Sequence, residues 1–89
     1  MKAHELLADR SKWTQGWYAR LENGRHCDPL DTMAKCWCVI GSIDKCYHSK
    51  EAAMKALNAA QACSMLPLDE LNDRLGYDAV MQVLREADV

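Results

Sequence analysis

The chain has 89 residues, of which 49% are hydrophobic and 27% are charged, and its formal net charge is -2 at pH 7. This length and composition predict one folded domain over residues 1–89 and exclude the disordered class of proteins. The near balance of acids and bases gives no overall attraction to nucleic acid or anionic membranes.

No apolar run approaches the roughly 18 to 20 residues that cross a bilayer. The first residues include His4, Glu5 and Asp9 and are unlike a signal peptide. We therefore expect a cytoplasmic protein that contacts neither membranes nor nucleic acid, and whose partner is another protein.

The first predicted elements are a short helix over residues 3–10, with Leu6 and Leu7 facing inward, and a β-hairpin after it. Asn23-Gly24 favours a two-residue type I′ turn, in which both positions need positive φ. That register places Glu22 opposite Arg25 as an ion pair.

The same register divides the first hairpin strand between two faces. The face toward the helices holds Trp17, Ala19 and Leu21, and the opposite face holds Tyr18 and Arg20. A lone hairpin is marginal in water, so its apolar face should rest on the helices.

The central helix is predicted to begin after Asp31, which can cap free amide groups, and to end near Cys46. Asp28-Pro29 is the alternative start. Helical spacing divides this segment between a face of small residues (Ala34, Cys38, Gly41, Ser42) and a face of larger apolar residues (Met33, Cys36, Trp37, Ile40, Ile43). Such a helix can pack on two sides.

Three further helices are predicted in the second half of the chain. Ser49 caps a helix over residues 50–63, whose apolar stripe is Ala53, Met54, Leu57 and Ala60. Pro67 opens a helix over residues 68–75, which Gly76 ends in the left-handed position. The last helix, residues 78–88, buries Val80, Val83, Leu84 and Ala87.

The predicted fold is mostly α, with four to five short helices around the central helix and one small β-hairpin near the amino terminus. Its predicted core consists of apolar side chains from every helix: Leu6, Trp37, Ile40, Ile43, Leu57, Leu71, Val80 and Leu84.

Several short motifs occur in a fixed order along the chain: Trp13-x-x-Gly16, Asn23-Gly24, Asp28-Pro29, Trp37-Cys38-x-x-Gly41 and Leu71-Asn72-Asp73. This pattern, over Leu6 to Ala87, resembles a family of small uncharacterised proteins of bacteria, phages and mobile elements. The resemblance implies a mostly helical fold, with Trp37, Cys38, Gly41, Asn72 and Asp73 as its structural motif. It brings no established activity.

The chain has five cysteines, and without an export signal we expect them to be reduced. Cys36 and Cys38 would point about 200° apart on a helix and cannot share one ion. Two pairs of candidate ligands are close in sequence, and a zinc- or thiol-responsive module would use His26, Cys27, Cys46 and His48. The simpler interpretation makes the cysteines small hydrophobes, with no cofactor.

Two other functions are disfavoured by the residues themselves. His26-Cys27-Asp28 has the groups that thiol catalysis needs, but neighbours in an extended strand point to opposite faces, so we expect no enzyme. Residues 68–87 resemble a helix-turn-helix in outline, yet Asp78, Glu86 and Asp88 would repel DNA phosphates.

Asn72 and Asp73 lie beside leucines, and buried polar groups must be hydrogen bonded. We expect them to join their helix to the loop carrying Trp13 or to amide groups of the hairpin. A separate alternative is self-association into a homodimer, in which Ala34, Cys38 and Gly41 would meet across a symmetry axis.

The aromatic residues indicate a protein-binding surface. The chain has three tryptophans, three tyrosines and no phenylalanine, and Trp and Tyr are frequent interface anchors. The candidate partner-binding residues are Trp13, Trp17, Tyr18, Arg20 and Glu22. We expect a non-catalytic accessory protein of a phage or mobile element that binds a host machine such as a defence system.

Overall fold

The computed structural model describes all 89 residues, and it contains five α-helices and two β-strands. The helices are α1 (Ala3–Leu6), α2 (Val39–Cys46), α3 (Lys50–Ala62), α4 (Leu68–Glu70) and α5 (Tyr77–Ala87), and the strands are β1 (Ala19–Leu21) and β2 (Ala34–Trp37). A 3-10 turn covers Arg10–Lys12, and a π-helix, Leu71–Leu75, continues α4. The prediction of a mostly α fold with one small β element near the amino terminus is confirmed.

Strand β2 occupies the segment that the sequence assigned to the first half of the central helix. It pairs antiparallel with β1, with Ala19 opposite Trp37 and Arg20 opposite Cys36. The predicted helix was wrong here because these residues form cross-strand hydrogen bonds to β1, a partner distant in sequence. Consequently each predicted helix face is split: its residues up to Trp37 lie in β2 or before it, and its residues from Val39 onward lie in a helix.

Helix α2 begins at Val39 and ends, as predicted, at Cys46. Its N-cap is Cys38 rather than Asp31: the Cys38 Sγ accepts the N–H of Gly41 at 3.3 Å. The carboxylate of Asp31 instead accepts the N–H of Met33 at 2.8 Å and so closes a local turn. Asp31 therefore caps a local turn, through the backbone amide two residues later, and does not cap a helix.

The turn after β1 has a different register from the predicted one. Of its residues only Gly24 has positive φ, at 87°, whereas a type I′ turn needs two such residues. Leu21 accepts the Gly24 N–H at 2.9 Å and donates its own N–H to Arg25 at 2.9 Å. The turn is thus one residue longer, and Glu22 lies within it instead of facing Arg25.

The extended segment after this turn pairs with the free edge of β1. Arg20 lies opposite His26 in an antiparallel bridge, and the N–H of Cys27 donates to the carbonyl of Ala19 at 3.0 Å. Strand β1 is therefore hydrogen bonded on both sides.

Helix α1 is shorter than predicted, but Leu6 and Leu7 are buried as expected. Helix α3 has the predicted cap, with the Ser49 Oγ accepting the Ala52 N–H at 3.0 Å. The buried face of α3 is formed by alanines, at positions Ala53, Ala56 and Ala60, and Met54 of the predicted stripe is exposed.

The predicted helix over residues 68–75 forms, but only its first three residues are α-helical. From Leu71 the chain widens into a π-helix, in which the Gly76 N–H reaches the Leu71 carbonyl at 3.2 Å. Gly76 has φ 91° and ψ −168°, which is not the left-handed helical conformation that the sequence predicted. Helix α5 then buries Val80, Met81, Val83 and Leu84.

The core consists of 18 buried hydrophobic residues contributed by the helices and the sheet. Six of the predicted core residues are buried: Leu6, Trp37, Ile43, Leu71, Val80 and Leu84. The other two, Ile40 and Leu57, are only partly buried and pack against the cluster. None of the helices has the length and apolar character needed to cross a membrane.

Gly41 of helix α2 lies in direct contact with the backbone of Tyr18, the residue before β1. A Cβ atom added to Gly41 would lie 1.9 Å from the carbonyl oxygen of Tyr18. The same oxygen accepts the N–H of Cys38 at 3.1 Å, which holds the helix start at this distance. Only glycine permits this approach.

The small residues that would mediate self-association are used inside the chain. Ala34, Cys38 and Ser42 are buried, and Gly41 lies beneath the Tyr18 backbone. The hypothesis of a homodimer across Ala34, Cys38 and Gly41 was therefore wrong about its surface.

We predict that Gly41→Ala lowers the free energy of unfolding by about 3 kcal/mol, because the new methyl group collides with backbone that cannot move aside. The midpoint of thermal unfolding, followed by circular dichroism, should fall by more than about 10 °C. Gly24→Ala is the matched control, since its Cβ meets nothing within 4 Å and only its positive φ is penalised, by about 1 kcal/mol. Equal midpoints for the two variants would contradict the contact.

Candidate functional site

The side chain of Asn72 joins three segments that are far apart in the sequence. Its Oδ1 accepts the Trp13 indole N–H and the Val39 amide N–H, each at 2.9 Å. Its Nδ2 donates to the carbonyl of Thr14 at 3.0 Å. The predicted hydrogen bonding of Asn72 to the loop carrying Trp13 is present, and we call this arrangement the Asn72 junction.

Asp73 extends the junction toward the surface. Its Oδ1 accepts the N–H of Gly16 at 3.1 Å and the Asn72 Nδ2 at 3.1 Å. Gln15 adds a hydrogen bond from its Nε2 to the Asn72 carbonyl at 3.0 Å. The loop before β1 is thus fixed against the π-helix up to the residue that precedes Trp17.

Trp17 and Tyr18 project from the end of this fixed loop, with 44% and 48% of their surface exposed. The indole of Trp17 stacks on the imidazole of His26, with ring centroids 4.3 Å apart and planes at 7°. The Tyr18 ring meets Trp17 edge to face, at 5.8 Å. We call these three side chains the aromatic ridge.

A cleft lies on each side of the aromatic ridge. The first, of about 230 Å³, is lined by apolar and polar residues in equal number: Gly16, Trp17, Tyr18, Cys38, Ile40, Asp69, Asn72 and Asp73. We call it the ridge cleft. The second, of about 400 Å³, lies on the side of His26, Cys27, Asp28 and Pro29.

Of the remaining candidate partner-binding residues, Trp13 and Arg20 are used within the fold. Trp13 is partly buried and packs edge to face on Tyr77, with ring centroids 5.7 Å apart. The Arg20 guanidinium donates to the carbonyls of Gly24 at 2.9 Å and Gln15 at 3.0 Å, so it holds backbone in place. Glu22 is exposed in the turn after β1 and adds no aromatic surface. Trp17 and Tyr18 are the two of the set that offer free aromatic surface.

Sequence reasoning missed His26 and Asp69 as neighbours of this surface. Asp69 precedes Asp73 by four residues, a spacing that puts two helical side chains on one face and could have indicated a shared site. No comparable signal marked His26, because its position depends on the turn register.

The structure does not assemble the alternative zinc site. No group of three or more His, Cys, Asp and Glu side chains lies close enough to hold one metal ion. The pairs His26-Cys27 and Cys46-x-His48 therefore do not converge on one ion. All five cysteines are free thiols.

Burial raises the pKa of the Cys27, Cys38 and Cys46 thiols, which favours their protonated form at neutral pH. The thiolate is the nucleophile and the metal ligand, so these sulfurs are poorly suited to either role. Trp37 likewise has a structural position, since its indole N–H donates to the Pro29 carbonyl at 2.9 Å.

A third cleft, of about 330 Å³, lies beside the end of α2 and includes Asp28, Asp44, His48 and Lys50. Burial raises the pKa of the Asp44 carboxyl, and the negative charge of Asp28 adds to the increase. The folded state therefore binds a proton at Asp44 more readily than the unfolded chain does, so the charged form of Asp44 opposes folding.

A family model described as a family of unknown function, DUF6197, matches residues 1–88 of the chain. This confirms the resemblance to an uncharacterised family. No curated protein and no solved structure matches the chain.

We predict that Asn72→Ala lowers the free energy of unfolding by about 3 kcal/mol, because the Trp13 indole and the Val39 amide lose their acceptor while buried. Urea unfolding monitored by tryptophan fluorescence measures the change. Asn58→Ala, on the exposed face of α3, is the control and should change stability by less than about 0.5 kcal/mol. Similar losses in both variants would argue against the Asn72 junction.

We predict that Asp44→Asn stabilises the protein at pH 7 and that this gain disappears as the pH falls. The raised pKa means that charged Asp44 costs stability above its folded pKa, and that this cost vanishes below its unfolded pKa, where both states are protonated. Unfolding of the two proteins should be compared at pH 7 and pH 3. A gain that persists at pH 3 would show that the charge is not its cause.

Proposed function

The chain belongs to DUF6197, a family of unknown function, and we propose that it is a non-catalytic protein-binding accessory protein that uses the aromatic ridge as its contact surface. The observation that carries this proposal is the exposure of Trp17 and Tyr18, at 44% and 48% of their surface, side by side in a small protein. The same chain buries Trp37 and packs Trp13 on Tyr77. Large aromatic side chains that stay exposed together are typical of binding surfaces.

The rigidity of the aromatic ridge supports the same proposal. Trp17 is stacked on His26, and the loop that carries it is held by Asp73 through the Gly16 amide. A partner would therefore bind side chains that are already ordered, which reduces the entropy lost on association. Clefts on both sides of the ridge provide room for the partner's own side chains.

The thiols and the resemblance to phage and mobile-element proteins support the cellular setting that we propose. Five free cysteines are typical of a protein kept in a reducing compartment, so the proposal places the chain in the cytoplasm. The resemblance to proteins of phages and mobile elements extends the proposal to a partner within a host machine such as a defence system.

The test is affinity capture with the immobilised protein, using a lysate of the host cell. We expect a specific protein to be retained by the wild type and lost when both Trp17→Ala and Tyr18→Ala are present. Nearly half of the surface of each residue is exposed, and neither belongs to the buried core, so circular dichroism should show a folded double variant.

The matched control removes two exposed apolar side chains elsewhere, Met65→Ala and Leu75→Ala, which are 100% and 61% exposed. This control should retain the partner. If the ridge variant and the control retain the same proteins as the wild type, the aromatic ridge is not the binding surface.

A further inference from the structure

We propose that the ridge cleft receives an arginine side chain of the partner protein. This inference rests on the proposed function, because it specifies which chemistry the partner brings to the aromatic ridge. Three features of the ridge cleft support it: the size of the cleft, its two carboxylates and its aromatic wall.

The size of the ridge cleft suits one long side chain. Its volume is about 230 Å³, below the roughly 300–1,000 Å³ that is typical of small-molecule sites. The cleft is open to the surface beside Trp17 and Tyr18, so a side chain from a docked protein can enter it. A partner residue is therefore a better fit than a free metabolite.

The polar wall of the ridge cleft carries two negative charges that the chain does not neutralise. The chain's ion pairs join Lys2 to Asp88 and Arg74 to Glu70, so neither Asp69 nor Asp73 belongs to one. The Oδ1 of Asp73 accepts two hydrogen bonds within the junction. These bonds fix the carboxylate in place and leave its second oxygen free to accept from a ligand.

Arg20, a cation close to the ridge cleft, does not serve this role. The Arg20 guanidinium approaches Gly16, where a Cβ atom would lie 3.2 Å from its Nη2. Both of its terminal nitrogens, however, donate to backbone carbonyls, those of Gly24 and Gln15. Arg20 thus forms no hydrogen bond or ion pair with Asp69 or Asp73, and these carboxylates are left for a partner.

The apolar wall favours arginine over lysine. Trp17 and Tyr18 line the cleft with aromatic side chains, on which guanidinium groups stack, and carboxylates accept the parallel N–H groups of arginine in pairs. Ile40 and Tyr18 line the cleft with apolar surface that the methylene stem of arginine can cover.

The experiment is an NMR titration of the ¹⁵N-labelled full chain with the capped peptide Gly-Gly-Arg-Gly-Gly. A second peptide carries citrulline, a neutral analogue of arginine with nearly the same shape, and a third carries lysine. We expect the arginine peptide to shift the Gly16 and Ile40 amide signals and the Trp17 indole signal. Its dissociation constant should be at least fivefold lower than that of the citrulline peptide, with lysine in between.

The variants test the two carboxylates. Asp69→Asn with Asp73→Asn keeps the acceptor for the Gly16 amide and removes both charges, so it should weaken binding of the arginine peptide at least fivefold. Glu51→Gln with Glu86→Gln removes two charges from exposed positions outside the cleft and should leave binding unchanged. Thermal unfolding of both proteins checks that the fold is intact.

Equal binding of the arginine and citrulline peptides, or unchanged binding in the Asp69 and Asp73 variant, would overturn the inference. In either case, loss of the captured protein in the Trp17 and Tyr18 variant would still support the proposed function. The reverse outcome, arginine-specific shifts with capture that does not depend on the ridge, would overturn the proposed function and support the cleft's preference for arginine.

Discussion

The carboxamide of Asn72 accepts hydrogen bonds from the Trp13 indole and the Val39 amide, and it donates one to the Thr14 carbonyl. Burying a carboxamide without hydrogen-bond partners costs several kcal/mol. Each buried group that lost Asn72 as its partner would carry a similar cost. The Asn72 junction provides hydrogen bonds for all of these groups. No buried side-chain nitrogen or oxygen of the chain lacks a partner. The start of α2, the loop before β1 and the π-helix therefore hold one another in position. The positions of the exposed residues Trp17 and Tyr18 depend on this arrangement.

Local sequence signals were sufficient wherever an element is stabilised by its own residues. The Ser49 cap and the alanine-rich segment after it predicted α3, and the amphipathic pattern around Val80 and Leu84 predicted α5. Residues 34–37 show the limit of such signals, because their short apolar run fits a buried strand as well as a helix. Pairing with β1, which lies some fifteen residues earlier, decided between the two, and no local pattern encodes that contact.

The candidate functional site was likewise predictable only in part from the sequence. The polar pair Asn72-Asp73 among leucines predicted a hydrogen-bonded junction, and the tryptophans predicted a binding surface in the first half of the chain. The sequence placed Trp17 on the hairpin face toward the helices, and this was wrong: β1 begins only at Ala19, and Trp17 is 44% exposed with its indole stacked on His26. The fold also uses Arg20 to hold backbone carbonyls, a role that its sequence position does not reveal.

The π-helix imposes a constraint on chain length as well as on composition. Its wider turn, closed by the Gly76 amide and the Leu71 carbonyl, accommodates one residue more than an α-helical turn would. Removing a residue from Leu71–Leu75, or adding one, would rotate everything that follows by about 100° relative to what precedes it. The buried face of α5 would then turn away from the core. During evolution this segment can therefore accept substitutions at its exposed positions, whereas insertions and deletions belong in the loops.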